Sequence, residues 1–282
     1  MRALAVFLAL VVGACGPKGA SRATPTGDPG LTLAVGPPLA TPGERMAYRL
    51  TLRGMELGTF GISVGDVVEL GGKRTVQVQA QARSTGLAKM VAEVDDRFTS
   101  WVDVETGRPL RFEVYEQTAK NSSDRDHVIV DFAARNGDQV PVHYGINDEP
   151  QKTLQQKVSL PEVWDYNAFL LALRSWEGKP GSTATLEVFR SRYLWRIVVT
   201  LGHKGTLVTE LGELPVIRFD AHTVKLDRNG AKWVGQDERD FSVWISDDDG
   251  RVPLKLDAKT DYGAVMMDIV DYQPGTGQRL RP

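Results

Sequence analysis

The chain is nearly without cysteine: Cys15 is the single one in 282 residues. No disulfide can form within it, so a bridge framework is excluded as the source of its stability. Charge of one sign is not in excess either, with 34 Lys and Arg against 36 Asp and Glu. That balance leaves no basic domain of the kind nucleic acid requires. Long hydrophobic runs are missing. The apolar run near the N-terminus is about a dozen residues, where a membrane-spanning helix needs about 20. Histidine is scarce: His127, His143, His203 and His222 are scattered, none at metal-ligand spacing from another ligand. No glycine-rich phosphate loop precedes a helix, and Gly54 to Gly61 lies between strands. No metal and no cofactor are expected. A chain of this length buries roughly 70–75% of its unfolded surface and needs no staple to fold.

What is present begins with MRALAVFLALVVGACGPKG. Arg2 is a short positive region, Ala3 to Val12 an apolar core, and Val12-Gly13-Ala14 sets small residues before Cys15. This is the layout of a secretory signal peptide, residues 1–14. It resembles a bacterial lipobox, which implies cleavage before Cys15 and a diacylglycerol on its thiol. Gly16 in place of Asp after the cysteine resembles the sequences sorted to the outer membrane, facing the periplasm. Residues 15–43 then form a lipidated, Pro- and Gly-rich tether.

From Glu44 the pattern is mostly period two. Met46, Tyr48, Leu50 and Leu52 alternate with Arg45, Ala47, Arg49 and Thr51; Val76 to Arg83 and Leu254 to Lys259 behave alike. Each reads as a half-buried antiparallel strand. Gly71-Gly72 and Asn229-Gly230 read as hairpin turns. Leu87 to Val94 is a short helical stretch, and Pro161 to Trp176 predicts a longer helix. Ser159 and Glu162 have capping-box spacing for it, with Asp165 as a rival cap. Phe169, Leu170 and Leu173 on that helix read as core, or as a plug for a barrel mouth.

The flanks of this helix resemble each other. FTSWVDVETGRPLRF at Phe98 aligns with FSVWISDDDGRVPLKL at Phe241, with Phe three before Trp and Trp six before Gly in both. The pattern predicts two related halves, 44–158 and 181–282, joined by the helix at 161–176. Phe98, Trp101, Phe241 and Trp244 are the expected repeat core. The alignment also reads the Asp247-Asp248-Asp249-Gly250 run as a turn, the counterpart of Val104 to Gly107, with the glycine supplying a positive φ. A calcium loop needs ligands at alternating positions and a distant Glu.

Chemistry is thinly signalled. Gly61-Ile62-Ser63-Val64-Gly65 matches the G-x-S-x-G elbow, but that elbow needs a helix directly after the serine, and here a strand and a Gly-Gly turn follow. No catalytic residue is expected. Glu187 to Val199 reads as one strand with Phe189, Tyr193 and Trp195 on one face and Arg190, Arg192 and Arg196 on the other. An apolar face beside cations suits a lipid or anionic amphiphile; a solvated face carrying arginines is the ordinary alternative.

Tyr48-Arg-Leu-Thr-Leu-Arg-Gly with Gly58, Leu211-Gly-Glu-Leu-Pro-Val-Ile-Arg and Trp244-Ile-Ser-Asp-Asp-Asp-Gly-Arg-Val-Pro-Leu resemble the bacterial DUF3108 family over about 44–272. The resemblance implies a β-rich, envelope-associated body and carries no activity. The expected fold is therefore mainly β: an antiparallel curved sheet, sandwich or barrel of two related halves, with a helix between them. The expected function is a membrane-anchored envelope lipoprotein that binds a lipid or other hydrophobic ligand. The alternative is a scaffold for an envelope protein partner.

Overall fold

The computed structural model describes residues 33, 36–91, 93–117, 124–147, 149–234, 238–260 and 263–281. The signal peptide, Cys15 and most of the tether lie outside the described residues. The period-two segments form one long meander. Its first part comprises β1 (Arg45–Leu52), β2 (Met55–Leu70), β3 (Lys73–Ser84), the short α1 (Gly86–Val91), β4 (Asp95–Asp103), β5 (Pro109–Gln117), β6 (Arg125–Asp131), β7 (Gln139–Ile146) and β8 (Lys152–Lys157). Then come β9 (Val163–Asp165) and α2 (Tyr166–Arg174), followed by β10 (Thr183–Arg190), β11 (Tyr193–Thr209), β12 (Gly212–Lys225), β13 (Arg239–Ser246), β14 (Pro253–Thr260) and β15 (Gly263–Gln273). The chain is mainly β, as its alternation implies.

All of these strands belong to one 15-stranded sheet, ordered from β8 down to β1, then β15 down to β9. The antiparallel pairing of β1 with β15 joins the two parts. Alternation explains which face turns inward: Met46, Tyr48 and Leu50 are buried while Arg49 is exposed. Curvature needs close strand approach. At Gly58 a Cβ would collide with the Arg83 carbonyl, so only glycine fits there.

α2 lies inside the curve against β3, β4, β9 and β10, and most of its side chains are buried. The predicted helix over Pro161 to Trp176 is shorter, because Val163 to Asp165 pair in parallel with Glu187 to Phe189 instead. Asp165 is the cap, its Oδ1 accepting from the Asn167 and Ala168 N–H groups at 2.9 Å. The capping box does not form: the Ser159 N–H donates to Glu187 and Glu162 pairs with Arg108. At the other end, buried Arg174 donates to both Glu44 oxygens at 2.7 and 3.0 Å and to the Gly250 carbonyl at 2.8 Å. This latch holds the helix end to the start of β1 and to the turn after β13.

The aligned segments carry the same irregularity. A bulge follows Trp101 and another follows Trp244, facing Pro109 and Pro253 respectively. The expected repeat core needs correction at its tryptophans. Three residues is an odd step along a strand, so Phe and Trp must point to opposite faces. Phe98 is fully buried inside and Phe241 is half-buried inside. Trp101 and Trp244 are half-buried on the outer face, Trp101 under the Arg111 guanidinium at 5.5 Å and Trp244 near Arg218 at 5.1 Å and Lys255 at 5.8 Å. The aspartate turn also differs in detail. Gly107 has φ 72°, but in the second turn the left-handed residue is Arg251, with φ 47°, and not Gly250. Asp248 Oδ1 holds that bend by accepting from the Gly250 and Arg251 N–H groups at 2.9 and 3.0 Å.

Candidate functional site

The helix does not fill the hollow of the sheet. Facing β11 to β15 it leaves a cavity of about 150 Å³. Phe60, Phe98, Trp195, Ile197, Phe241, Val243 and Met267 line it from the sheet, and Phe169 and Leu170 from α2. The wall is almost wholly apolar, with Arg190 and Thr223 toward one end. Its volume is on the scale of an apolar cavity that takes a benzene-sized group.

The stretch predicted as a single strand, Glu187 to Val199, is a hairpin. β10 ends at Arg190, Ser191 takes φ 52°, and β11 returns from Tyr193, paired with Arg190. Residues opposite one another in an antiparallel pair share a face. The reversal therefore rearranges the expected faces. Val188, Arg190, Tyr193, Trp195 and Ile197 share the cavity face, while Phe189 and Arg196 lie on the other. Phe189 is fully buried there, edge-on to Phe132 at 5.6 Å. Arg196 pairs with Glu187 at 2.8 Å, and Glu187 also accepts from the Ser159 and Leu160 N–H groups. Arg192 sits in the turn, over the rings of Tyr144 at 5.2 Å and Tyr193 at 5.3 Å. Of the six residues singled out on this stretch, Arg190 and Trp195 line the cavity, Tyr193 shares their face, Arg192 lies in the turn, and the other two serve the opposite face.

Sequence reasoning missed Lys225. It lies on β12 directly opposite Trp195 and two residues beyond Thr223, so it faces inward. Its ammonium is 3.6 Å from the Tyr193 ring centre and 4.4 Å from that of Trp233. Burial, and then the nearby Arg190 and Arg192, bring its pKa down to about 8. The signal was available: Phe219, Ala221, Thr223 and Lys225 keep strict alternation, which puts the lysine on the phenylalanine's face. Acids come from the opposite wall. Glu116 lies 3.6 Å from Arg190, and burial pushes the Asp96 carboxyl up to about 6 and raises Asp126.

Ser63 sits within β2, paired with Arg45 and Gln79, so the strand continues where an elbow would turn into a helix. Two histidines find acids on neighbouring strands that their sequence spacing hides. His127 is 2.7 Å from Glu113, and His222 is 2.8 Å from Asp240 and 3.0 Å from Glu238. Among the described residues no group of three or more His, Cys, Asp or Glu is disposed to hold a metal ion.

Residues 47–270 match the family model of DUF3108, a protein of unknown function. No curated protein matches the chain significantly. Among solved structures, a beta-barrel-like protein of the domain of unknown function DUF1849 from Brucella abortus is similar at a TM-score of 0.54 and 10% identity, over 84% of this chain and 99% of that one. That likeness shows the fold alone. A Bacteroides fragilis protein described as a candidate exported protein with a YmcC-like fold has a TM-score of 0.38 and 6% identity, over 85% of this chain and 100% of its own. A Parabacteroides distasonis protein described as a candidate lipoprotein has a TM-score of 0.38 and 8% identity, over 85% and 99%. At that score neither bears on the function of this chain.

Proposed function

The chain belongs to the DUF3108 family, and from that premise we propose a membrane-anchored envelope lipoprotein that holds a lipid or another hydrophobic ligand in the hollow of its sheet, without catalysis. Membership supplies the fold and no activity, so the cavity carries the reading. Its apolar wall favours an apolar occupant, because every methylene moved there from water contributes about 0.8 kcal/mol. The lipobox at Cys15 supports the anchor. Gly16 supports the outer membrane, with the body in the periplasm.

Native mass spectrometry with lipid extraction, on the protein purified from a bacterial envelope, tests the ligand. A stoichiometric non-covalent amphiphile is expected; an empty protein speaks against it. The anchor is tested by metabolic labelling with palmitate. The wild type should take up label and sediment with membranes, and Cys15→Ser should take up none.

A second reading, a scaffold for an envelope protein, has one observation in its favour. Leu87 and Met90 of α1 are 78% and 82% exposed, and Met55, which opens the neighbouring β2, is 61% exposed. Contiguous exposed apolar side chains of this kind mark interaction surfaces. Cross-linking in the native envelope after an empty mass-spectrometric result would bring this reading forward.

A further inference from the structure

Among the described residues, two hydrogen-bond donors beside the cavity have no acceptor. Trp195 lines the cavity, and its indole N–H is buried with no hydrogen-bond partner. Lys225 is its directly opposed neighbour on β12. Such neighbours have Cβ atoms about 4.5–5.5 Å apart on a common face. Lys225 is only 7% exposed. Among the described residues no carboxylate pairs with it. The charges that bear on its ammonium are those of Arg190 and Arg192, both of its own sign. Glu116, on the far wall, is engaged with Arg190.

A buried cation without a counter-charge is costly, and the two aromatic rings offset that cost only in part. An indole N–H buried without an acceptor adds to it. An anionic oxygen group that reached both donors would satisfy both. The apolar cavity begins directly beside these donors, at Trp195 and Thr223. We propose that the ligand is an anionic amphiphile, with its carboxylate or phosphate seated between Lys225 and the indole N–H of Trp195 and its apolar part in the cavity. This rests on the hydrophobic-ligand reading above and names the chemistry of the other end of that ligand. The cavity volume of about 150 Å³ sets the apolar part as a short chain or the end of a longer one.

Decanoate, decyl phosphate and decanol share one tail and differ in the head. Each is titrated calorimetrically into the full chain carrying Cys15→Ser, exchanged out of detergent. One or both anions should bind roughly ten- to a hundredfold more tightly than decanol, the range expected of hydrogen bonds to a charged group. The tighter anion distinguishes a fatty-acid ligand from a phosphate-bearing lipid. Lys225→Met should remove the preference by weakening the anions toward the affinity of decanol, Lys225→Arg should keep it, and Trp195→Phe should reduce it. Lys225→Met should also raise the thermal midpoint, since it removes an unpaired buried charge, so folding of the variant is read in the same series. Equal binding of all three compounds, or a uniform loss in Lys225→Met, overturns the headgroup seat and leaves the hydrophobic-ligand reading standing. Binding of none overturns both.

Discussion

Phe98 and Phe241 occupy matching places in two similar strand pairs, yet they have different surroundings. Phe98 is stacked against Phe112, with ring centres 6.5 Å apart, and takes the edge of Tyr166 from α2 at 5.7 Å. Phe98 and Phe241 both line the cavity, but Phe241 is only half-buried and has no ring partner among the described residues. The cause is the single helix. Asn167 of α2 donates to the Val78 and Phe98 carbonyls and to Ser100 Oγ, which binds the helix to β3 and β4. An element fastened to one wall leaves the opposite wall open. One helix thus serves both walls of the sheet, and the space it does not reach is the candidate ligand site.

The largest expected effect contrasts the two phenylalanines. Phe98→Ala should cost about 3–5 kcal/mol, the usual range for a fully packed aromatic. Phe241→Ala should cost clearly less, because its side chain is only half-buried and loses no ring contact of the kind Phe98 makes. Urea unfolding of the two variants measures both, and equal losses would show that the second wall is as tightly filled as the first.

Next in size is the seat of the helix. Asp165 is fully buried, Ser100 donates to it at 2.7 Å, and burial pushes its carboxyl up to about 6. A carboxyl whose folded pKa lies above its unfolded value near 3.9 holds its proton more tightly when folded. Its ionisation therefore destabilises the fold above about pH 6, and stability returns as pH falls from about 6 toward 4. Asp165→Asn keeps the Oδ1 acceptor that serves all three donors and removes the charge. The variant should be more stable at pH 7.5, by on the order of 2 kcal/mol, with a flatter profile between pH 4 and 6. A loss of stability at pH 7.5 would mean that the carboxylate charge itself holds α2 against β4.

The smallest effect falls on the outer face. Trp101→Ala and Trp244→Ala should each cost about 1 kcal/mol, the scale of an exposed cation–π contact with some lost burial. A core-sized loss at either tryptophan, in the same unfolding measurement, would break the inside–outside distinction between Phe and Trp.

Much of the sheet was legible because alternation is local. Strands around Tyr48, Val78 and Leu256 follow from period-two patterns that need no distant partner to be read. The hairpin at Ser191-Arg192 was not legible. It carries neither glycine nor asparagine, and Ser191 adopts its left-handed φ because the surrounding pairings of β10 and β11 hold it there. The start of α2 failed for a related reason. Val163, Trp164 and Asp165 suit a strand as well as a helix, and hydrogen bonds to β10 decided between them. The tryptophans misled through a motif: an aligned Phe-x-x-Trp suggests one core, while the odd step sends the two rings to opposite faces.

The sequence by itself determined the strand content, the inward face of most strands and several turns, and it left two residues competing to cap the helix. Each depends on residues a few positions apart. The tertiary structure alone decided where α2 lies, where the cavity opens and that Lys225 meets aromatic rings but no carboxylate among the described residues. Trp195, Lys225 and Trp233 are brought together by strand pairing and loop return, and Phe98 and Phe241 are distinguished by a helix distant from both in the chain. Packing and desolvation depend on neighbours in space, and here those neighbours come from strands many residues apart.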